Sequence, residues 1–135
     1  MNLKRGLEKA GSGKERIIMN RDPGCIFCRI ASKEVEAKIV YEDEKVMALE
    51  DVNPQAPAHL LVIPKNHIPT LQDIGNEESG LMDTLFLVIN RMAKVRGLSE
   101  KGYRVVVNSG PAGGQTVYHL HLHLLGGRNM KWPPG

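Results

Sequence analysis

Apolar residues in the second half of the chain recur at the spacing of one helical face. They fall at i, i+4, i+7, i+8, i+11 and i+14, and they are Leu81, Leu85, Val88, Ile89, Met92 and Val95. Acidic side chains precede this stretch and basic ones close it, which suits the helix dipole, and Gly97 is placed to terminate it. The pattern predicts one long amphipathic helix.

Shorter apolar stretches predict strands that are separated by turns. A short helix is expected over residues 25–33. The expected strands cover residues 38–41, 46–50, 59–63, 103–108 and 117–125. The last two strands should pair, because only a short loop joins them. This order of elements predicts an α+β fold, with a mostly antiparallel sheet of about five strands, one long helix and one short helix.

The last predicted strand carries three histidines that alternate with leucines. Side chains on a strand face opposite sides in turn, so His119, His121 and His123 should form one row while the leucines face a core. Lys, Thr or Glu would serve a plain solvated face, so a row of imidazoles favours a functional role. The ordinary histidine pKa of about 6.5 suits nucleophilic and acid–base chemistry. Attack of such a ring on phosphorus would give a covalent intermediate.

A glycine-rich loop lies directly before this row. Gly113 and Gly114 allow backbone N–H groups to approach phosphate oxygens closely, and Gln115 and Thr116 add side-chain donors. Such a loop alone would predict no more than a turn. Its position before the histidines makes it a candidate anion-binding loop.

The segment His119–Leu125 resembles the signature of the histidine-triad (HIT) superfamily, in which histidines alternate with apolar residues. Residues 25–135 are also similar to one branch, the histidine-triad nucleotide-binding proteins or purine nucleoside phosphoramidases. The similar stretches are 51–59, 102–108, 113–119 and 132–135. The resemblance implies a hydrolase that cleaves nucleoside 5′-monophosphate conjugates and releases a monophosphate such as AMP. Two alternatives stay open, a dinucleoside polyphosphate hydrolase and a non-catalytic nucleotide-binding scaffold dimer.

The resemblance also implies roles for individual residues. It implies His121 as the nucleophile, with His123, Thr116 and the supporting His59 in the catalytic set. The implied substrate contacts are Asp51 with the ribose, Asn108, Gly114, Gln115, Thr116 and His123 with the phosphate and leaving group, Ile30 and Leu49 with the base, and Trp132 with the partner subunit's site. Leu49 replaces a common aromatic residue, so base stacking should be weaker. The implied assembly is a homodimer built on the long helix and strand 103–108.

Cys25 and Cys28 have the C-x2-C spacing that lets two thiolates share one tetrahedral ion. His67 and His119 are the candidates for the other two ligands, and some HIT relatives carry zinc on such a set. We therefore expect structural Zn²⁺ and no catalytic metal. A redox pair, two inert buried thiols and a chance spacing are the alternatives. If His119 holds zinc, the leaving group must take its proton from Thr116, His123 or water.

Charge is distributed unevenly along the chain, whose pI is about 9.0. Residues 1–21 hold six basic and two acidic side chains, a net of +4, whereas the remainder carries −1. The body therefore lacks the basic stripe of a nucleic-acid-binding protein. We expect residues 1–20 to form a flexible tail before a domain over 21–135. No apolar run is long enough for a membrane span and the start lacks a signal peptide's apolar core, so a cytoplasmic location is expected.

Overall fold

The computed structural model describes residues 21–135, so the predicted tail over 1–20 lies outside the described residues. Five strands form one antiparallel sheet in the order β1-β2-β3-β5-β4. They are β1 (Ile39–Glu42), β2 (Val46–Glu50), β3 (Ala58–Pro64), β4 (Tyr103–Val106) and β5 (Leu122–Gly126). The predicted α+β class and the pairing of the last two strands are both confirmed. The order leaves β4 at one edge of the sheet.

Two α-helices accompany the sheet, α1 (Ile26–Ala31) and α2 (Ser79–Val95). Helix α1 is shorter than predicted at both ends. It begins after Cys25, whose thiol caps it by accepting a hydrogen bond from the N–H of Cys28. It ends at Ala31 because Lys33 has a φ of +70°, which is left-handed. Helix α2 buries the middle of its predicted apolar stripe, but Val95, at its last residue, is exposed. None of the helices in residues 21–135 is long and apolar enough to cross a membrane.

The sheet separates two apolar cores. Helix α2 packs on one face against side chains that include Leu60, Leu122 and Leu124, all of them fully buried. Helix α1 packs on the other face, where Phe27 and Ile30 join the β2 and β3 side chains Met47, Leu49, Leu61 and Ile63. Because β3 is covered on both sides, its sequence is apolar without alternation from Leu60 to Pro64.

The strand predicted over 117–125 is wrong in its first part, since β5 begins only at Leu122. Pairing with β3 stops at Val62, two residues before Pro64, which has no N–H and whose carbonyl oxygen accepts a hydrogen bond from the His119 ring. The Leu120 N–H donates instead to the Ile68 oxygen, 2.6 Å away. The alternation of faces nevertheless persists, because Leu120 is buried in the α2 core together with the leucines of β5. Strand β4 likewise ends at Val106, two residues before its predicted end.

Candidate active site and metal centre

The middle histidine of the row is held by the backbone of the first. The Nδ1 atom of His121 lies 2.7 Å from the carbonyl oxygen of His119, and the ring is buried. A carbonyl oxygen only accepts hydrogen bonds, so Nδ1 must carry a proton. In the neutral ring, the lone pair is then on Nε2. This is the protonation pattern that a nucleophilic imidazole needs.

The third histidine pairs with His59 of β3. The Gln55 N–H donates to Nδ1 of His59 over 3.0 Å, so that nitrogen is the acceptor and the neutral ring carries its proton on Nε2. This Nε2–H donates to Nδ1 of His123 over 2.9 Å. A neutral His123 therefore carries its own proton on Nε2. The free nitrogens of these two neighbouring rings thus differ: His121 presents a lone pair, and His123 presents an N–H donor.

Burial keeps this pair of rings neutral. Desolvation is the main cause that lowers the pKa of His123 to about 4, and the nearby rings of His121 and His59 add to the effect. Desolvation also lowers the pKa of His59, although Asp51, whose carboxylate oxygen lies 3.4 Å from Nε2, partly opposes it. The hydrogen-bond pattern above is therefore that of neutral rings at pH 7.

The glycine-rich loop is closed by its own hydrogen bonds. The N–H groups of Gly114 and Gln115 donate to the oxygens of Pro111 and Gly110. A Cβ atom on Gly113 would lie 2.5 Å from the Ser109 oxygen, and Gly114 has a φ of +83°, so both positions require glycine. Two amides of the loop expected to cradle a phosphate, those of Gly114 and Gln115, are thus already engaged within the loop. Thr116 at the end of the loop is exposed.

Gln115 differs most from its expected role as a phosphate contact. Its side chain is buried, and its oxygen accepts from the Gly110 N–H over 2.9 Å. Its amide nitrogen donates to the oxygens of Pro69 and Val117. These bonds use the polar atoms of the side chain to brace the loop against the segment that follows β3.

The other predicted contacts fall into two groups. Asp51 lies beside His59, and Ile30 and Leu49 are buried together in the α1 core. Asn108, just after β4, is half-buried, and Trp132 is 82% exposed at the C-terminal end. The structure therefore gathers the histidines and Asp51 within one chain but leaves Trp132 projecting into solvent.

Sequence reasoning did not identify Phe27 as part of the site. Its ring makes edge contacts with His119 and His121, with ring centroids 5.7 and 5.2 Å apart. Phe27 lies between Cys25 and Cys28, whose sulfur atoms both approach His119, and this places its ring against the row. The position of Phe27 inside the C-x2-C motif was therefore the sequence feature that could have identified it.

All four candidate zinc ligands converge. The Nδ1 atom of His119 lies 3.2 Å from the Cys25 sulfur, 3.6 Å from the Cys28 sulfur and 3.2 Å from Nδ1 of His67. The His67 nitrogen lies 3.4 Å from the Cys28 sulfur. Ligand atoms bound at 2.0–2.3 Å to one tetrahedral zinc are roughly 3.3–3.8 Å apart. The spacing therefore fits a closed Cys₂His₂ centre.

The tautomer of His119 also suits a metal ligand. Its Nε2 lies 2.7 Å from the Pro64 carbonyl oxygen, so Nε2 carries the proton and Nδ1 presents a lone pair to the cysteines. A second cluster, Asp51 with His59 and His123, also has its candidate ligand atoms within 4.8 Å of one another. There, however, neutral His59 has no free lone pair, because Nδ1 accepts from Gln55 and Nε2 carries the proton. Only the first cluster has the chemistry of a metal centre.

Comparison with known proteins identifies the family. A family model described as the HIT domain matches residues 32–130. The chain belongs to the HIT family. It is 50% identical over 116 residues to a 14 kDa zinc-binding protein of Zea mays, covering 84% of this chain and 90% of that protein.

Solved HIT structures share this fold. A HIT family hydrolase from Legionella pneumophila Philadelphia 1 matches with a TM-score of 0.82 and 51% identity, covering 83% of this chain and 100% of that one. A histidine triad nucleotide-binding protein from Candida albicans matches with a TM-score of 0.70 and 32% identity, covering 82% and 83%. This HIT protein is therefore similar to proteins of the hydrolase kind.

Proposed function

We propose that this HIT protein hydrolyses nucleoside 5′-monophosphate conjugates, of the purine phosphoramidate type, through a covalent nucleotidyl-His121 intermediate. The observation that carries the proposal is the hydrogen bond from Nδ1 of His121 to the His119 carbonyl oxygen. This bond leaves Nε2 as the nucleophile. It also stabilises the ring once phosphorus is attached to Nε2, because a cationic imidazole donates a stronger hydrogen bond.

In the first step, Nε2 of His121 attacks the α-phosphorus, and the bond from phosphorus to the leaving nitrogen breaks. The His123 Nε2–H and the Thr116 hydroxyl offset the charge that develops on the phosphate oxygens. The leaving amine takes its proton from Thr116, His123 or water, since the His119 proton is held by Pro64. In the second step, water attacks the phosphorus of the intermediate and the bond from phosphorus to Nε2 breaks, which releases the monophosphate and regenerates neutral His121. The proton that this water loses returns to the group that protonated the amine.

The substrate contacts follow from the placement of the remaining residues. Asp51 would hold the ribose hydroxyls with the lone pairs that its bond from the Asn53 N–H leaves free. The base would lie along Ile30 and Leu49, and Asn108 and Gly114 would border the phosphate. Gln115 would act indirectly, by bracing the loop that carries Thr116.

The Cys₂His₂ cluster would hold structural zinc. Bound zinc would supply a rigid tetrahedral link between α1, the segment after β3 and the histidine row. It would have no role in bond breaking, because its four protein ligands leave no open position. The spacing of the ligand atoms and the zinc-binding relative support this assignment. Cysteines that bind zinc must stay reduced, which favours a cytoplasmic location.

A homodimer is the assembly that the surface supports. Helix α2 exposes Phe86 and Leu87, at 47% and 68%, and edge strand β4 begins with Tyr103, exposed at 37%. Exposed apolar side chains and an unpaired strand edge on the same elements are typical of an interface. In such a dimer, Trp132 of one protomer would approach the site of the other.

Turnover assays test the proposal. His121→Ala should abolish hydrolysis of an adenosine phosphoramidate while AMP binding remains measurable by calorimetry, because only the nucleophile is lost. Normal turnover in this variant would contradict the mechanism. Parallel rates on a dinucleoside polyphosphate separate the two hydrolase types. AMP binding without turnover of either substrate by the unmodified protein would favour a scaffold.

A further inference from the structure

Arg128 joins the end of β5 to the loop over residues 51–57. It lies two residues beyond β5, and its Nε–H donates to the carbonyl oxygen of Gln55 over 3.0 Å. A second guanidinium nitrogen donates to the oxygen of Asn129. The same two segments touch at Gly127, where a Cβ atom would lie 2.9 Å from the side chain of Pro57. The loop is therefore fastened to the strand that carries His123.

Gln55, whose carbonyl oxygen Arg128 binds, also sets the tautomer of His59. The carbonyl that Arg128 binds and the N–H that reaches Nδ1 of His59 belong to the same residue, Gln55. Holding one of these groups restricts the other, because the two peptide planes share one Cα atom. A backbone N–H can only donate, so Nδ1 of His59 must accept as long as the loop stays in place.

The consequence reaches the third histidine of the row. With the Gln55 N–H present, His59 donates to Nδ1 of His123 and the free nitrogen of His123 is an N–H. Without it, the pair can reverse, so that His123 donates from Nδ1 to His59. The free nitrogen of His123 would then present a lone pair, which repels a phosphate oxygen instead of binding it.

We infer that Arg128, acting through the backbone of Gln55, is a positioning residue that fixes His123 as the Nε2–H tautomer. Arg128 is exposed and its guanidinium group donates to the backbone oxygens of Gln55 and Asn129, so its effect passes through the loop. The effect on catalysis rests on the proposed function, but the tautomer itself does not.

Histidine ¹⁵N NMR of the full chain tests the inference without turnover. Gln55→Pro removes the N–H, whereas Gln55→Ala keeps it and serves as the matched control. The unmodified protein and Gln55→Ala should both show His123 protonated on Nε2, and Gln55→Pro should show a population protonated on Nδ1. A folded Gln55→Pro protein with the His123 tautomer unchanged would overturn the inference.

Arg128→Ala and Arg128→Lys provide a second measurement that does not depend on a proline. Arg128→Ala should show mixed His123 tautomers and a kcat lower by about tenfold with KM nearly unchanged, since part of a donor that is worth about 10²–10³ in kcat is lost. Arg128→Lys should restore part of both effects. Mixed tautomers without any measurable hydrolase activity would support the positioning role and count against the proposed function. Unchanged tautomers in Arg128→Ala would exclude the role of Arg128.

Discussion

Removing metal from the Cys₂His₂ cluster should destabilise the fold strongly, because the cluster connects three separate segments. Its members come from the cap of α1, the turn after β3 and the histidine row, and Cys28 and His119 are fully buried. A ligand that binds only the folded state stabilises it by RT ln(1 + [L]/Kd), which is about 4 kcal/mol when free zinc exceeds Kd a thousandfold. An unfolding entropy of about 2.1 cal/mol/K per residue converts this into a Tm decrease of roughly 15 °C for a domain of this size.

The assay combines metal analysis with thermal unfolding at fixed protein concentration. The purified protein should contain one zinc per chain, and a strong chelator should lower Tm by the amount above. His67→Asn should lose the metal and the response to chelator. His59→Asn should keep both, because His59 belongs to the second cluster. A protein without stoichiometric metal, or a Tm that chelation leaves unchanged, would refute the assignment.

Three further predictions concern stability and the loop. Folded His123 has a pKa of about 4 and an unfolded histidine about 6.5, so urea-measured stability should fall as pH drops from 6.5 to 4. The contribution of His123 alone is up to about 1.4 kcal/mol per pH unit, and a flat profile would contradict this. Leu124→Ala should cost about 3–5 kcal/mol in the urea-unfolding free energy, whereas Leu71→Ala, 38% exposed, should cost under about 1. Gly113→Ala should reduce kcat at least tenfold, because the added Cβ atom would collide with the Ser109 backbone. Gly80→Ala is the control, since its Cβ atom would have no neighbour within 4 Å, and it should leave kcat unchanged. Equal kcat values for the two variants would exclude the loop's role.

The parts of the fold that local patterns determine could be predicted from the sequence. The apolar stripe of α2 and the alternation of histidine with leucine each depend on a period that one segment carries by itself. The start of β5 could not be predicted, because it depends on Pro64, which lies in another strand. The pattern thus gave the faces correctly but not the length of the strand.

Parts of the site could likewise be predicted from local sequence patterns, whereas other parts depend on contacts between distant residues. The C-x2-C spacing indicated that two further ligands are required, and the structure brings the candidates His67 and His119 together with both cysteines. The bracing role of Gln115 depends on the Pro69 oxygen, which is distant in sequence. The residues around Gln115 therefore do not predict this role. The tautomers of His59 and His123 depend on one backbone N–H at Gln55, which sequence patterns do not reveal.

During turnover, His121 should become covalently bound to the nucleotide. Rapid base quenching during reaction with an adenosine phosphoramidate preserves the acid-labile phosphorus–nitrogen bond, and fragmentation mass spectrometry of the peptide that holds the three histidines of the row then locates the attached group. An adenylyl group is expected on His121, formed and lost at rates that match turnover. An adenylyl group on His119 or His123, or turnover with no covalent species at any time point, would contradict it.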